Sequence, residues 1–203
     1  MADPPRMNQN VLERMKEALP KTAPSLTTGA MSASVALILT TSEEDPCLLL
    51  TQRAVRPGDP FSGQVCFPGG KRDPLDASNL QTAIRETKEE VGIGLEPGHL
   101  LGALTPSSPL HPGRRSLQVV PFVFGLSMQA VVTPCPQEVA SFAWIPLASL
   151  EGNRYLGKAA PAQLGGVEVD AFLVPFEGGA YTIWGMTYRI LSEFLGVWQA
   201  TRP

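Results

Sequence analysis

Apolar and polar residues follow a period that changes along the chain, and those changes order the elements. Val11, Met15, Ala18 and Leu19 recur at helical spacing over residues 10–19, and Pro20 stops the run. A connection rich in Pro, Ser and Thr follows, so residues 1–29 read as an N-terminal helix and linker and residues 30–203 as a single domain. Residues 34–40 and 47–52 are largely apolar runs of strand length, and the polar, proline-ended stretch 41–46 between them predicts a hairpin loop. A third short strand is expected at 64–67. It meets a turn at Pro68-Gly69-Gly70, where glycines let the backbone pass close to a ligand.

The period then becomes helical. Ser78 and Gln81 form an S-x-x-Q capping box for a helix over 79–91, and Gly92 provides its stop. Strands are expected at 100–104, 117–126, 143–146 and 168–176, with a proline-rich loop at 105–113. Ile183, Met186, Ile190, Leu191, Phe194 and Leu195 then predict an amphipathic helix over 182–198. Strands interleaved with a few helices, without regular βαβ alternation, define an α+β domain: an α/β/α sandwich around a mixed central sheet.

Composition narrows the function. The 17% charged and 43% hydrophobic content is that of an ordinary globular protein, and the net charge of −3 offers no basic surplus for a nucleic-acid backbone. Cys47, Cys66 and Cys135 are an odd number without C-x-x-C spacing, which disfavours a disulfide framework and a zinc site. No apolar run suits a signal peptide or a membrane span, so no membrane partner is expected and a cytoplasmic location is the default. His99 and His111 lack neighbours that would suggest ligation, and the sequence leaves a homodimer open.

The chemistry concentrates on the helix over 79–91. At about 100° per residue, Leu80, Ala83, Ile84, Thr87 and Val91 fall on one stripe that should pack on the sheet. Glu86 and Glu90 are an i, i+4 pair on one flank, and Glu89 projects from a neighbouring turn. Like charges at that spacing cost about 0.2–0.5 kcal/mol, and glutamates in a last turn face the negative end of the helix dipole. A divalent cation removes both penalties. Oxygen-only donors favour magnesium or manganese over zinc. The bland alternative is a solvated acidic face partly neutralised by Arg85 and Lys88.

Gly70, Asp76, Arg85-Glu86, Glu89-Glu90 and Gly92-Ile93 resemble the Nudix signature, in which a glycine loop precedes a helix bearing R-E-(apolar)-x-E-E-x-G-(apolar). Asp76 stands where the signature has glutamate and lies one residue farther from Arg85, and Thr87 is less apolar than usual. The resemblance implies a magnesium- or manganese-dependent hydrolase acting on a small-molecule nucleotide. It implies Glu86 and Glu90 as principal metal ligands, Glu89 as a further or water-mediated ligand, the Gly70 carbonyl as another, and Arg85 as an orienting cation. Asp76 would fix the loop. The general base in such enzymes comes from the helix or from a downstream loop, where Glu138 is a candidate.

Leu49-Leu50-Thr51-Gln52-Arg53-Ala54, Gly63-Gln64-Val65-Cys66-Phe67-Pro68-Gly69-Gly70 and Ile183-Trp184-Gly185-Met186-Thr187 look like the additional motifs of the coenzyme A pyrophosphatases in this superfamily. This implies cleavage of coenzyme A or acyl-CoA to 3',5'-ADP and (acyl-)4'-phosphopantetheine. The subgroup's second arginine is replaced by Gly58, in a segment one residue longer that contains Arg56. Arg53, Lys71, Arg72, Arg114 and Arg115 are the candidate phosphate-binding residues. The alternatives are a pyrophosphatase for ADP-ribose, NADH or dinucleoside polyphosphates, an isoprenyl diphosphate isomerase-like activity using Cys66, and a non-catalytic nucleotide-binding module.

Overall fold

The computed structural model describes residues 7–22, 26, 31–40, 46–59, 61–109, 117–152, 154–176 and 179–201, with side chains from residue 11 onward. The hairpin loop expected at 41–46, except for Pro46, lies outside the described residues, as do His111, Arg114 and Arg115. In chain order the elements are α1 (Met7–Ala18), β1 (Met31–Thr40), β2 (Cys47–Arg53), β3 (Val65–Cys66), β4 (Gly69–Lys71), α2 (Asn79–Val91), β5 (Leu100–Ala103), β6 (Leu117–Leu126), β7 (Val139–Pro146), α3 (Leu147–Leu150), β8 (Leu156–Ala159), β9 (Val169–Phe176), β10 (Gly179–Trp184) and α4 (Gly185–Thr201).

Among the described residues seven strands form one mixed sheet, with the path β3-β2-β1-β6-β5, β4 paired to β1 and β7 paired to β2. The central pair, β1 and β6, is parallel over its full length, from Met31↔Leu117 to Thr40↔Leu126; the other pairs are antiparallel. Because β1 is covered on both faces, its sequence is a continuous apolar run rather than an alternation. Side-chain alternation still sorts its residues: Ala36 and Ile38 join the α2 side, whereas Leu37 and Leu39 join the core shared with α1 and α4. Met15 and Leu19 of the N-terminal segment are buried in that second core beside Phe194 and Trp198 of α4.

The sheet splits along one edge of β1, and the split positions the site. β2 pairs with β1 only at Leu39 and Thr40, while β4 takes Ala33, Ser34 and Val35. The Pro68-Gly69-Gly70 segment, expected as a turn, is therefore a strand laid into the gap, anchored by Ala36 N–H donating to the Pro68 carbonyl at 2.8 Å. Only glycine fits at position 69. Its φ is 152°, and a Cβ there would lie 2.2 Å from the Ser34 carbonyl oxygen.

A second, three-stranded antiparallel sheet, β10-β9-β8, extends the core. Two expectations are corrected here. β8 and β10 carry no strand expectation, and residues 182–184, expected as the start of the last helix, belong to β10; α4 begins at Gly185. Ile183 fits a helical stripe with Met186 and Ile190, but it also alternates with Tyr181, and both are buried on the strand. β7 likewise starts at Val139 rather than 143, because pairing with β2 continues past a register shift to Arg53.

Candidate active site

α2 is built as its sequence requires. Ser78 Oγ accepts from Gln81 N–H at 3.2 Å, the Gln81 side chain accepts from Ala77 N–H at 2.8 Å, and Gly92 closes the helix at φ 74°. Its buried face is Thr82, Ala83, Thr87, Glu90 and Val91, whereas Leu80 and Ile84, placed on the buried stripe by their apolar character, are only partly covered. Thr87 is tolerated there because its hydroxyl donates to the Ala83 carbonyl at 2.7 Å. The apolar stripe could not reveal that a carboxylate, Glu90, sits on the covered side.

Glu86 and Glu90 face consecutive residues of β4. Glu90 Oε2 accepts from Gly69 N–H at 2.9 Å, and the Glu86 carboxylate fills the space where a Gly70 Cβ would stand, 2.5 Å from its oxygen. Glu86 is 16% exposed and Glu90 5%. Burial raises the pKa of both: Glu86 is shifted upward, with Arg85 opposing, and Glu90 is pushed up to about 7, each reinforced by the charges of the other acids nearby. Glu138 is one of those charges for both. Its turn is bonded to α2 through Cys135 N–H, which donates to the Glu90 carbonyl at 2.8 Å.

Glu89 is held differently. It is 55% exposed and pairs with Arg85 Nη1 at 2.8 Å. Arg85 Nη1 also meets Glu86 Oε1 at 2.9 Å, while its Nε and Nη2 clasp Asp76 Oδ1 and Oδ2 at 3.0 and 2.9 Å. Asp76 further accepts from Thr82 Oγ1 at 2.9 Å and Asp73 N–H at 3.0 Å. These bonds, those of Arg85 above all, hold its carboxyl well below the usual carboxylate range. Among the described residues no three acidic, histidine or cysteine side chains already converge as a cage. Glu86 and Glu90 nonetheless suit a hard divalent cation: they are buried oxygen donors, side by side, with too little positive charge to offset them.

The candidate phosphate-binding cations have distinct surroundings. Arg53, at the end of β2, pairs with Asp59 at 3.2 Å, and its field reaches Glu90 and Cys66. Arg72 Nη2 donates to the Asp76 carbonyl at 3.0 Å, so it fastens the loop before α2. Lys71 is exposed beside Gly70. His99 Nδ1 accepts from Glu96 N–H at 3.1 Å. Cys66 carries a thiol that burial pushes up to about 11, the opposite of an activated nucleophile. Sequence reasoning gave Arg56 no settled place. It binds the Gln137 carbonyl through Nε at 2.8 Å and reaches Glu138 Oε1 at 3.4 Å, a contact between loops that only the fold brings together.

Two buried glutamates of one helix, set against a glycine strand, form a site suited to a hard divalent cation. The NUDIX domain family profile matches residues 31–164, and the chain belongs to the Nudix hydrolase family. It is 36% identical over 150 residues to an uncharacterized Nudix hydrolase, NudL, of Yersinia enterocolitica, covering 73% of this chain and 72% of that protein. It is 33% identical over 166 residues to the human mitochondrial coenzyme A diphosphatase NUDT8, covering 80% and 67% respectively. A MutT/nudix family protein from Enterococcus faecalis shares the fold, with a TM-score of 0.57 and 19% identity over 87% of this chain and 65% of that one. The protein is accordingly a Nudix pyrophosphohydrolase acting on a small nucleotide. Among the described residues no helix is long and apolar enough to cross a membrane.

Proposed function

We propose that this enzyme cleaves the pyrophosphate bond of coenzyme A or acyl-CoA, releasing 3',5'-ADP and (acyl-)4'-phosphopantetheine. The observation that carries the reaction centre is the pair Glu86 and Glu90, buried against Gly69 and Gly70 without adequate countercharge. The substrate reading draws on the likeness to the coenzyme A diphosphatase and on the residues around Arg53 and Cys66-Phe67-Pro68-Gly69-Gly70, which line the same end of the sheet.

Magnesium or manganese would be held by Glu86 and Glu90, with Glu89 through water and the Gly70 carbonyl as further donors; such an ion supplies charge neutralisation and an activated water. The chain's own residues do the rest. Arg85 orients Glu86 and Glu89 while Asp76 fixes Arg85, so the donors are preorganised from behind. Arg53 and Lys71 offer cations for the diphosphate, with Arg72 in a supporting position. Arg114 and Arg115 are candidates for an outlying phosphate such as the 3'-phosphate of coenzyme A. The enzyme works in the cytoplasm in this reading.

The test is identification of products by mass spectrometry after incubation with coenzyme A, NADH, ADP-ribose and diadenosine polyphosphates, with and without magnesium. Magnesium-dependent 3',5'-ADP and 4'-phosphopantetheine from coenzyme A are expected. Preferred cleavage of another compound in the panel would replace the substrate and leave the reaction class standing.

A further inference from the structure

The loop between β2 and β3 is where the chain departs from the coenzyme A subgroup motif, and its arginine has a definite partner. Arg56 Nε donates to the Gln137 carbonyl at 2.8 Å, its Nη2 donates to the same oxygen, and Nη2 also meets Glu138 Oε1 at 3.4 Å. Ser62 Oγ accepts from the Arg56 N–H and donates to the Arg56 carbonyl, both at 2.9 Å, which fixes the arginine's own backbone.

The turn that Arg56 grips hangs from α2. Cys135 N–H donates to the Glu90 carbonyl at 2.8 Å, Glu138 N–H donates to the Cys135 carbonyl at 2.9 Å, and the Glu138 carbonyl accepts from Ala54 N–H at 2.8 Å. Glu138 is thus tied by its backbone both to the helix end and to the continuation of β2. Its carboxylate, 38% exposed, stays open to solvent while its charge acts on Glu86 and Glu90. Repulsion from those two carboxylates would turn an unrestrained side chain outward. The hold on the Gln137 carbonyl and the looser contact with Glu138 tether that side chain to the β2–β3 loop without enclosing it.

We propose that Arg56 is a positioning residue that holds Glu138 at the mouth of the Glu86–Glu90 site, and that Glu138 receives the proton of the attacking water. The inference rests on the assignment of Glu86 and Glu90 as the reaction centre. In the step, water gives one proton to the Glu138 carboxylate and its oxygen forms a bond to phosphorus. The bridging P–O bond breaks, and its electron pair leaves on the second phosphate. Arg56 therefore does not stand in for the subgroup's missing substrate cation.

The test uses the intact enzyme at saturating magnesium with whichever of coenzyme A, NADH and ADP-ribose it turns over fastest. Glu138→Gln is expected to lower kcat roughly 10²-fold, and Arg56→Ala about 10-fold with KM changed by no more than about twofold. The double variant should be no slower than Glu138→Gln alone, because nothing is left to position. Arg56→Lys, with a point charge in place of the fork, should recover little. Manganese affinity and melting temperature should stay at wild-type values in all four variants.

A raised KM at constant kcat in Arg56→Ala, additive losses in the double variant, or wild-type kcat in Glu138→Gln would each overturn the inference. Glu90→Gln, run in parallel, separates the two levels. Full turnover in that variant removes the reaction centre itself, whereas loss there with an active Glu138→Gln removes only the role given to Arg56 and Glu138.

Discussion

Asp76 and Glu90 are equally hidden, at 4% and 5% exposure, and lie near opposite ends of the same helix, yet their acidities move in opposite directions. Asp76 receives two of the three Arg85 guanidinium nitrogens, a threonine hydroxyl and a backbone N–H. Glu90 receives one backbone N–H and feels the charge of Arg53 against those of Glu86 and Glu138. Burial penalises both anions, but at Asp76 the bond to Arg85 outweighs it, whereas at Glu90 it remains the largest influence. The first carboxylate is a fastener whose charge is already satisfied, and the second is a charge in want of a cation.

The largest effect is expected from Glu90→Gln. An amide oxygen can still accept from Gly69 N–H, so the fold should persist, while metal-dependent turnover falls by at least ~10²-fold. The same exchange at Asp76 should give the opposite pairing of effects, and equal losses of turnover in the two variants would erase the distinction drawn between the two ends.

Next is the pH dependence of the metal-free protein. Between the ordinary Glu90 value of 4.5 and its folded value of about 7, the native state holds a proton that the unfolded chain has released. Stability therefore falls as pH rises through that window, by up to about 3 kcal/mol, and levels off above it. Asp76 works in the other sense: its contribution is complete above its ordinary value of 3.8 and is lost as the solution becomes more acidic. Thermal melts in chelator from pH 4 to pH 8 should show the decline, and magnesium should suppress it. A flat profile without metal would mean that Glu90 is already compensated.

Asp76→Asn should cost about 2 kcal/mol of stability, toward the lower end for a buried ion pair because Arg85 is 31% exposed. Denaturant unfolding reads this directly, and kcat should fall much less than in Glu90→Gln. The smallest effect is Gly70→Ala. The added methyl would stand 2.5 Å from the Glu86 carboxylate and displace it, giving about a 10-fold loss of kcat with little change in the denaturation midpoint.

The capped helix over 79–91 was legible because its signals are local: Ser78, Gln81 and Gly92 act within a turn of where they stand. The apolar strands β1 and β6 were legible for the same reason. Residues 182–184 carry a helical pattern in the sequence because Ile183 satisfies two periods at once, and only pairing with β9 selects the strand. β8 offered no run of apolar residues, since Leu156, Gly157, Lys158 and Ala159 form a strand by pairing with Val169 to Phe172. At the site, the spacing of Glu86, Glu89 and Glu90 identified the acidic helix but suggested a single patch. Arg85 pairs with Glu86 and Glu89, while the sheet covers Glu90.

By itself, the sequence determined the helix, its caps, the glycines beside it and the family to which those residues belong, because each rests on interactions within a few positions. Tertiary structure decided which carboxylate is satisfied and which is not, since that depends on groups 9 to 82 positions away: Arg85 for Asp76, Gly69 for Glu90, Arg56 for Glu138. A carboxylate's charge state is set by the dielectric and donors around it, and those exist only once the strands have closed over the helix.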